Sequence, residues 1–195
     1  GIPSDPCIVA NAHALARYAS LCQEANIVPI IEPEVLMNGI HTIDKCAQIT
    51  NNTLRVVFEE LNNFNIMLEG IILKPNMVIS GLECEEQADI DKVSEMTVKC
   101  LKTNVPKSVP GIAFLSGGQT SDLATAHLNC INKNYLDSMP WNLTFSYGRA
   151  LQADALEGWG GNNRELGQEN LIKRAKFNSM ATTGSFSYEM DEVVI

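Results

Sequence analysis

Met67-Leu68-Glu69-Gly70-Ile71-Ile72-Leu73-Lys74 is an apolar run interrupted at Glu69 and Gly70 and stopped by a lysine. Its length and its β-branched content read as a strand from Met67 to Leu73 that ends on a charged group. The same grammar recurs on either side. Upstream, Ile27 to Ile31 is short and apolar throughout, which suits a parallel strand covered on both faces better than a half-exposed antiparallel one. Downstream, Gly111 to Leu115 and Trp141 to Ser146 supply two further strands.

Helical periods fill the intervals. A first helix spans about Pro6 to Ala25, capped by Ser4 or Asp5, with apolar residues at Ile8, Ala12, Leu15, Tyr18 and Cys22. A second spans about Ile43 to Phe64, and a third carries Val93, Met96, Cys100 and Leu101 until Val105-Pro106 closes it. A fourth, Asp122 to Ile131, has Thr120 or Ser121 as its cap. After Gly148-Arg149 one more runs to about Leu156, and past the break Gly158 to Gly161 a last runs from Arg164 to Asn178. The order is α(βα)4 and then a tail. Four such units suit either an open doubly wound sheet or part of a (β/α)8 barrel, and periodicity alone does not choose. A complete barrel typically needs about 250 residues, so in a barrel these four units are half.

The 195 residues are 45% apolar, enough for one sizeable core. Asp and Glu number 23 against 14 Lys and Arg, and the formal charge of -9 opposes binding to nucleic acid. No stretch approaches the roughly 20 apolar residues that span a bilayer, and the start GIPSDPC lacks the pattern of a signal peptide. A soluble, cytoplasmic protein without membrane or nucleic-acid partners is expected. Six cysteines are scattered without a CxxC pair and read as reduced thiols, while His13, His41 and His127 are too far apart for a helical ligand pair. No metal and no cofactor are expected.

In each unit a polar group falls where the strand runs out, the end at which active sites of βα folds lie. Glu32 and Glu34 follow the first strand, Lys74 the second, Ser116-Gly117-Gly118 the third, and Ser146 to Arg149 the fourth. A lysine ending a strand is usually a solvated surface group. Here the apolar run before Lys74 would place the amine among poorly hydrating groups, freeing the neutral nucleophile for a carbonyl. Glu32 and Glu34, separated by Pro33, point the same way if the strand continues, and paired carboxylates suit proton transfer. Gly117 and Gly118 allow close backbone approach and present amides to an anion, with the Arg149 guanidinium as the opposite wall of a phosphate cradle.

Four stretches resemble class I fructose-bisphosphate aldolases: EGIILKPNMV (69–78), FLSGGQ (114–119), TFSYGRALQ (144–152) and VPIIEPEVL (28–36). The resemblance runs from about Asn11 to Asn178 and includes ARYASLCQ (16–23) and the Trp159-Gly160-Gly161 break. It implies the last four βα units of a (β/α)8 barrel in residues 1–178, with 179–195 as a tail. It also implies a homotetramer that cleaves fructose 1,6-bisphosphate to dihydroxyacetone phosphate and glyceraldehyde 3-phosphate. By the same resemblance Lys74 forms the Schiff base, Glu32 is the acid and base for carbinolamine dehydration, and Glu34 is its electrostatic neighbour. The resemblance also implies that Ser116, Gly117, Ser146, Gly148 and Arg149 bind a substrate phosphate, to which the glycine turn adds Gly118. Two departures matter: family members carry about four further units ahead of the point matching Gly1, and they usually end in Tyr, whereas here Tyr188 is followed by seven more residues. The chain alone is therefore expected to be weakly active or inactive. The alternatives are another Schiff-base sugar-phosphate aldolase, such as a transaldolase or deoxyribose-phosphate aldolase, and a non-catalytic scaffold that keeps a relic site.

Overall fold

Most helices start where a side-chain oxygen takes up one of their first free amides. Thr42 accepts from the Lys45 N–H ahead of α2 (Ile43–Asn63), and Asp89 from the Lys92 N–H ahead of α3 (Ile90–Asn104). Thr120, rather than Ser121, accepts from the Leu123 N–H ahead of α4 (Ser121–Tyr135), and Asn163 from the Leu166 N–H ahead of α6 (Arg164–Ala181). Two starts differ. Ser4 occupies the cap position of α1 (Asp5–Glu24) without a side-chain bond, and Gly148 precedes α5 (Arg149–Trp159) with neither a side-chain cap nor an acidic residue in the first turn. The structure is a computed structural model and describes residues 2–187, so α6 and the buried Phe186 carry the ordered packing into the first part of the expected tail, while Tyr188 and residues 189–195 lie outside the described residues.

Four short strands, β1 (Ile30–Ile31), β2 (Ile72–Leu73), β3 (Gly111–Phe114) and β4 (Asn142–Phe145), form one sheet in the order β1-β2-β3-β4. Every pairing is parallel, with Ile31 beside Leu73, Leu73 beside Ile112, and Ile112 beside Leu143. A doubly wound sheet reverses its strand order at a switch point and takes helices on both faces. Here the order never reverses, and α1 packs on α2, α2 on α3, α3 on α4, and α4 on both α5 and α6. A single layer of helices along a parallel sheet is the wall of a (β/α)8 barrel, which decides between the two architectures the sequence allows.

The pleat sorts the strand residues. Ile31, Leu73, Ile112, Phe114 and Leu143 are buried, and they share one core with Leu54 and Leu61 of α2, Leu101 of α3, Leu128 of α4 and Phe177 of α6. The opposite face is open at its edges. Ile30 is 46% exposed beside a fully buried Ile31, so β1 is covered on one face and not on both as its apolar run implies.

Two strands are also shorter than their apolar runs. The Gln23 side chain of α1 donates to the Met67 carbonyl (2.8 Å) and accepts from the Met67 N–H (3.0 Å), and Leu68–Gly70 form a 3₁₀ turn. Those backbone groups are thereby withdrawn from the ladder. At β1 the Ile27 N–H is spent on the Cys22 carbonyl (2.8 Å) after Asn26 turns left-handed at φ 57°, and Pro29 has no N–H to give.

Phe114→Ala should lower unfolding free energy by about 3–5 kcal/mol in a urea titration. Ile30→Ala on the open face should cost under about 1 kcal/mol. Comparable losses at the two positions would contradict the assignment of faces.

Candidate active site

Because Ile31 and Leu73 are paired, the next residues on the open face, Glu32 and Lys74, are also neighbours. The Lys74 N–H donates to the Ile31 carbonyl at 2.7 Å, and the Lys74 Nζ meets Glu32 Oε1 at 3.0 Å. The lysine side chain is 19% exposed and the glutamate 44%, so the pair sits at the lip of the sheet with water on the carboxylate side. The apolar run before Lys74 does not surround the amine. Ile71 and Leu73, both fully buried, turn toward the helices, and the alternation sends Lys74 the other way onto a carboxylate. Glu34 is exposed two residues beyond Glu32, and both line a cleft of about 380 Å³ shared with α1 and α2.

Asn76, which sequence reading passed over, ties these loops together. Its Oδ1 accepts from the Val35 N–H at 3.0 Å, and its Nδ2 donates to Thr50 Oγ1 at 3.2 Å and to the Met77 carbonyl at 3.1 Å. It is 2% exposed, and its role shows only through partners 26 and 41 residues away.

The second cluster lies across β3 and β4. The ladder continues past the strands through Leu115 N–H to the Pro75 carbonyl (3.1 Å) and Ser146 N–H to the Phe114 carbonyl (2.8 Å). Gly117 and Gly118 have φ of 56° and 91°, left-handed backbone that favours glycine. A Cβ on Gly117 would collide with Met37 Cε, and one on Gly118 would lie 3.7 Å from Arg149 Nη2. The guanidinium thus stands directly over the glycine turn. Among the described residues the amides of Gly117, Gly118, Gly148 and Arg149 have no acceptor. Two of these amides belong to the uncapped start of α5, whose dipole adds positive potential at the same place. Ser116 is buried behind the turn, and Ser146 is partly exposed beside it.

Three buried side chains hold this cluster in shape. Gln119 donates from its side-chain amide and from its backbone N–H to the Ser116 carbonyl, at 3.1 and 3.0 Å, while its Oε1 meets His127 Nδ1 at 2.6 Å. Burial pushes the His127 imidazole down to about 4, so it is neutral at pH 7 and donates from Nδ1 to the amide oxygen. Tyr147, between Ser146 and Gly148, is 6% exposed and donates its hydroxyl to the Ala124 carbonyl at 2.8 Å; burial raises its pKa. All the anticipated site residues lie beyond the carboxyl ends of the strands: Lys74 pairs with Glu32, Ser116-Gly117-Gly118 group with Ser146, Gly148 and Arg149, and Glu34 shares only the cleft beside Glu32. No cluster of three or more His, Cys, Asp or Glu able to hold a metal ion exists among the described residues.

A family model described as fructose-bisphosphate aldolase class-I matches residues 1–194. The chain belongs to that family. Similar aldolases include the probable fructose-bisphosphate aldolase class 1 of Xanthomonas campestris, 53% identical over 188 residues, with 95% of this chain and 56% of that protein covered. The fructose-bisphosphate aldolase of Dictyostelium discoideum is 47% identical over 189 residues, covering 96% of this chain and 52% of the other. Among solved structures, the Plasmodium falciparum fructose-bisphosphate aldolase, in a ternary crystal with TRAP and a small-molecule inhibitor, superposes with a TM-score of 0.90. It is 46% identical, over 95% of this chain and 53% of that one. The chain therefore spans about half the length of the aldolases it matches. No helix of the described residues is long and apolar enough to cross a membrane.

The buried neutral His127 makes stability depend on pH with a definite sign. The unfolded imidazole titrates near 6.5 and the folded one near 4, so the unfolded chain binds the extra proton between those values. Stability held above about pH 6.5 is therefore lost as pH falls toward 4, by roughly 2 kcal/mol between pH 7 and pH 5. Urea titrations at both pH values should show His127→Gln lacking this portion of the loss. An identical pH dependence in both proteins would contradict the assignment.

Proposed function

We propose that the protein is a Schiff-base aldolase of ketose phosphates and that Lys74 is its nucleophile, with fructose 1,6-bisphosphate as substrate. The contact between Lys74 Nζ and Glu32 Oε1 carries this reading. The resting pair is an ammonium and a carboxylate. Transfer of one proton from Nζ to Oε1 leaves a neutral amine and a neutral carboxyl. The amine adds to the ketose C2 carbonyl to give a carbinolamine, and Glu32 returns its proton to the departing hydroxyl, which leaves as water. Glu32, a carboxylate once more, takes the C4 hydroxyl proton as the C3–C4 bond breaks; the electron pair of that bond passes to the protonated imine, glyceraldehyde 3-phosphate leaves as the aldehyde, and an enamine remains on Lys74 with the three-carbon phosphate still attached. Glu34, exposed two residues beyond Glu32, is a second carboxylate lining the same cleft.

The amides of Gly117, Gly118 and Gly148, with Ser116, Ser146 and Arg149, take the substrate phosphate on this reading. Fixed amides and a guanidinium meet a dianion without reorganisation, and the position beyond β3 and β4 is where (β/α)8 proteins bind phosphate. Membership of the aldolase family supports the substrate, and on the same basis the complete protein works in the cytoplasm as a homotetramer without a metal ion.

Fructose 1,6-bisphosphate cleavage by the complete enzyme should survive EDTA and should fall by about 10²–10⁴ in Glu32→Gln. Loss of activity on chelation, restored by zinc, would move the chemistry to a metal centre; full activity in Glu32→Gln would remove its proton-transfer role. Arg149→Ala should weaken binding of dihydroxyacetone phosphate by about 10- to 100-fold, the equivalent of one or two charged hydrogen bonds. Unchanged affinity in calorimetry would show that the glycine loop is only a turn.

A further inference from the structure

Arg174 is 6% exposed, on α6, and no step above uses it. A buried guanidinium costs several kcal/mol unless its donors are matched, so its partners say what it is for. Nε donates to Asp154 Oδ2 at 3.0 Å and Nη2 donates to Asp122 Oδ1 at 2.8 Å, while Nη2 also lies 2.8 Å from Asp154 Oδ2 as an ion pair. Nη1 reaches Thr125 Oγ1 at 3.4 Å. Asp122 and Thr125 belong to α4 and Asp154 to α5, so one planar fork joins three helices.

The neighbouring bonds tighten the same junction. Ser121 Oγ, on the first residue of α4, donates to Asp154 Oδ1 at 3.1 Å. Asn170 Nδ2 of α6 donates to the Asp154 carbonyl at 2.9 Å. Thr125 Oγ1 bridges the Ser121 carbonyl (2.9 Å) and Asn178 Oδ1 (2.7 Å). The segments fixed in this way are informative. Ser121 opens α4 directly after the Ser116 to Thr120 loop, and Asp154 lies five residues after Arg149, on the helix that Arg149 begins. The network therefore ties the glycine loop's helix to Arg149's helix at the end where the two approach each other.

We propose that Arg174 is a positioning residue for phosphate binding: through Asp154, Ser121 and Asp122 it sets the separation between the Gly117-Gly118 amides and the Arg149 guanidinium. The proposal rests on the phosphate-cradle reading above. A guanidinium that begins an exposed, uncapped helix has nothing of its own to hold it over the glycine turn, and a shift of the helix start by about 1 Å would break the geometry a charged hydrogen bond needs. The clamp acts behind the site, away from the ligand.

The test is a double-mutant cycle on binding of inorganic phosphate, measured by calorimetry on the unmodified chain and on Arg174→Met, Arg149→Ala and the double variant. Arg174→Met should weaken phosphate about 10-fold with Arg149 present and by less than about 2-fold with Arg149 replaced, because the clamp works through that side chain. Arg174→Lys, which keeps the charge but not the planar fork, should behave like Arg174→Met. A merely structural role predicts a lower melting temperature with equal, additive losses in both backgrounds, and that outcome overturns the proposal. So does unchanged phosphate affinity in a folded Arg174→Met. If that variant does not fold, Asp154→Asn and Ser121→Ala, which loosen the same joint from the α5 and α4 sides, are taken through the same cycle with the same criteria. Absence of phosphate binding by the unmodified chain instead refutes the cradle itself, an outcome distinct from additive losses in a chain that binds.

Discussion

The backbone ladder that runs on past the ends of the strands is the constraint on which the site depends. Lys74 N–H to Ile31 O, Leu115 N–H to Pro75 O and Ser146 N–H to Phe114 O lock the first residues beyond β2, β3 and β4 to their left-hand neighbours. Parallel strands lie about 4.8 Å apart, so these rungs fix the pitch at which the polar groups emerge. With the register set by Ile31 beside Leu73, Glu32 can only meet Lys74. Asn76 makes the arrangement tighter, since losing it would leave the Val35 N–H without its acceptor in a buried place.

The same pitch separates the two clusters. The Lys74 amine sits after β2, and the glycine-loop amides and Arg149, proposed to bind phosphate, sit after β3 and β4, one to two strand spacings away, or about 5–10 Å. In a ketose 1-phosphate the carbonyl carbon and the phosphorus are separated by one carbon and one oxygen, a span that fits between neighbouring strand ends. The charges are divided correspondingly: Lys74 is paired with Glu32, whereas on the proposed function Arg149, the α5 N-terminus and the glycine-loop amides offer positive potential to a phosphate. Behind them the Tyr147 hydroxyl, the Gln119–His127 bond and the Arg174 network satisfy buried polar groups at fixed distances, which keeps an exposed guanidinium and a glycine turn in register.

The order of elements and the residues at the strand ends were legible because they depend on local chemistry. Apolar runs, cap residues and the Ser116-Gly117-Gly118 turn announce themselves within a few positions. Choosing a barrel wall over a doubly wound sheet was not possible from periodicity, because the choice lies in which strands pair. The shortening of β2 was hidden because Gln23 reaches Met67 across 44 residues. The surroundings of Lys74 differ from what its apolar run implies for a simpler reason: the pleat turns Leu73 inward to the helices and Lys74 outward to Glu32. Asn76, Tyr147 and Arg174 carried no local signal at all, since each is defined by partners on other elements.

On the proposed function Lys74 is the imine-forming amine. Borohydride reduction in the presence of dihydroxyacetone phosphate, followed by mass mapping of the peptides, tests it most directly. The ligand should be trapped as a secondary amine on Lys74, and no adduct should form in Lys74→Met. An adduct on another lysine, or undiminished trapping in Lys74→Met, would contradict the assignment.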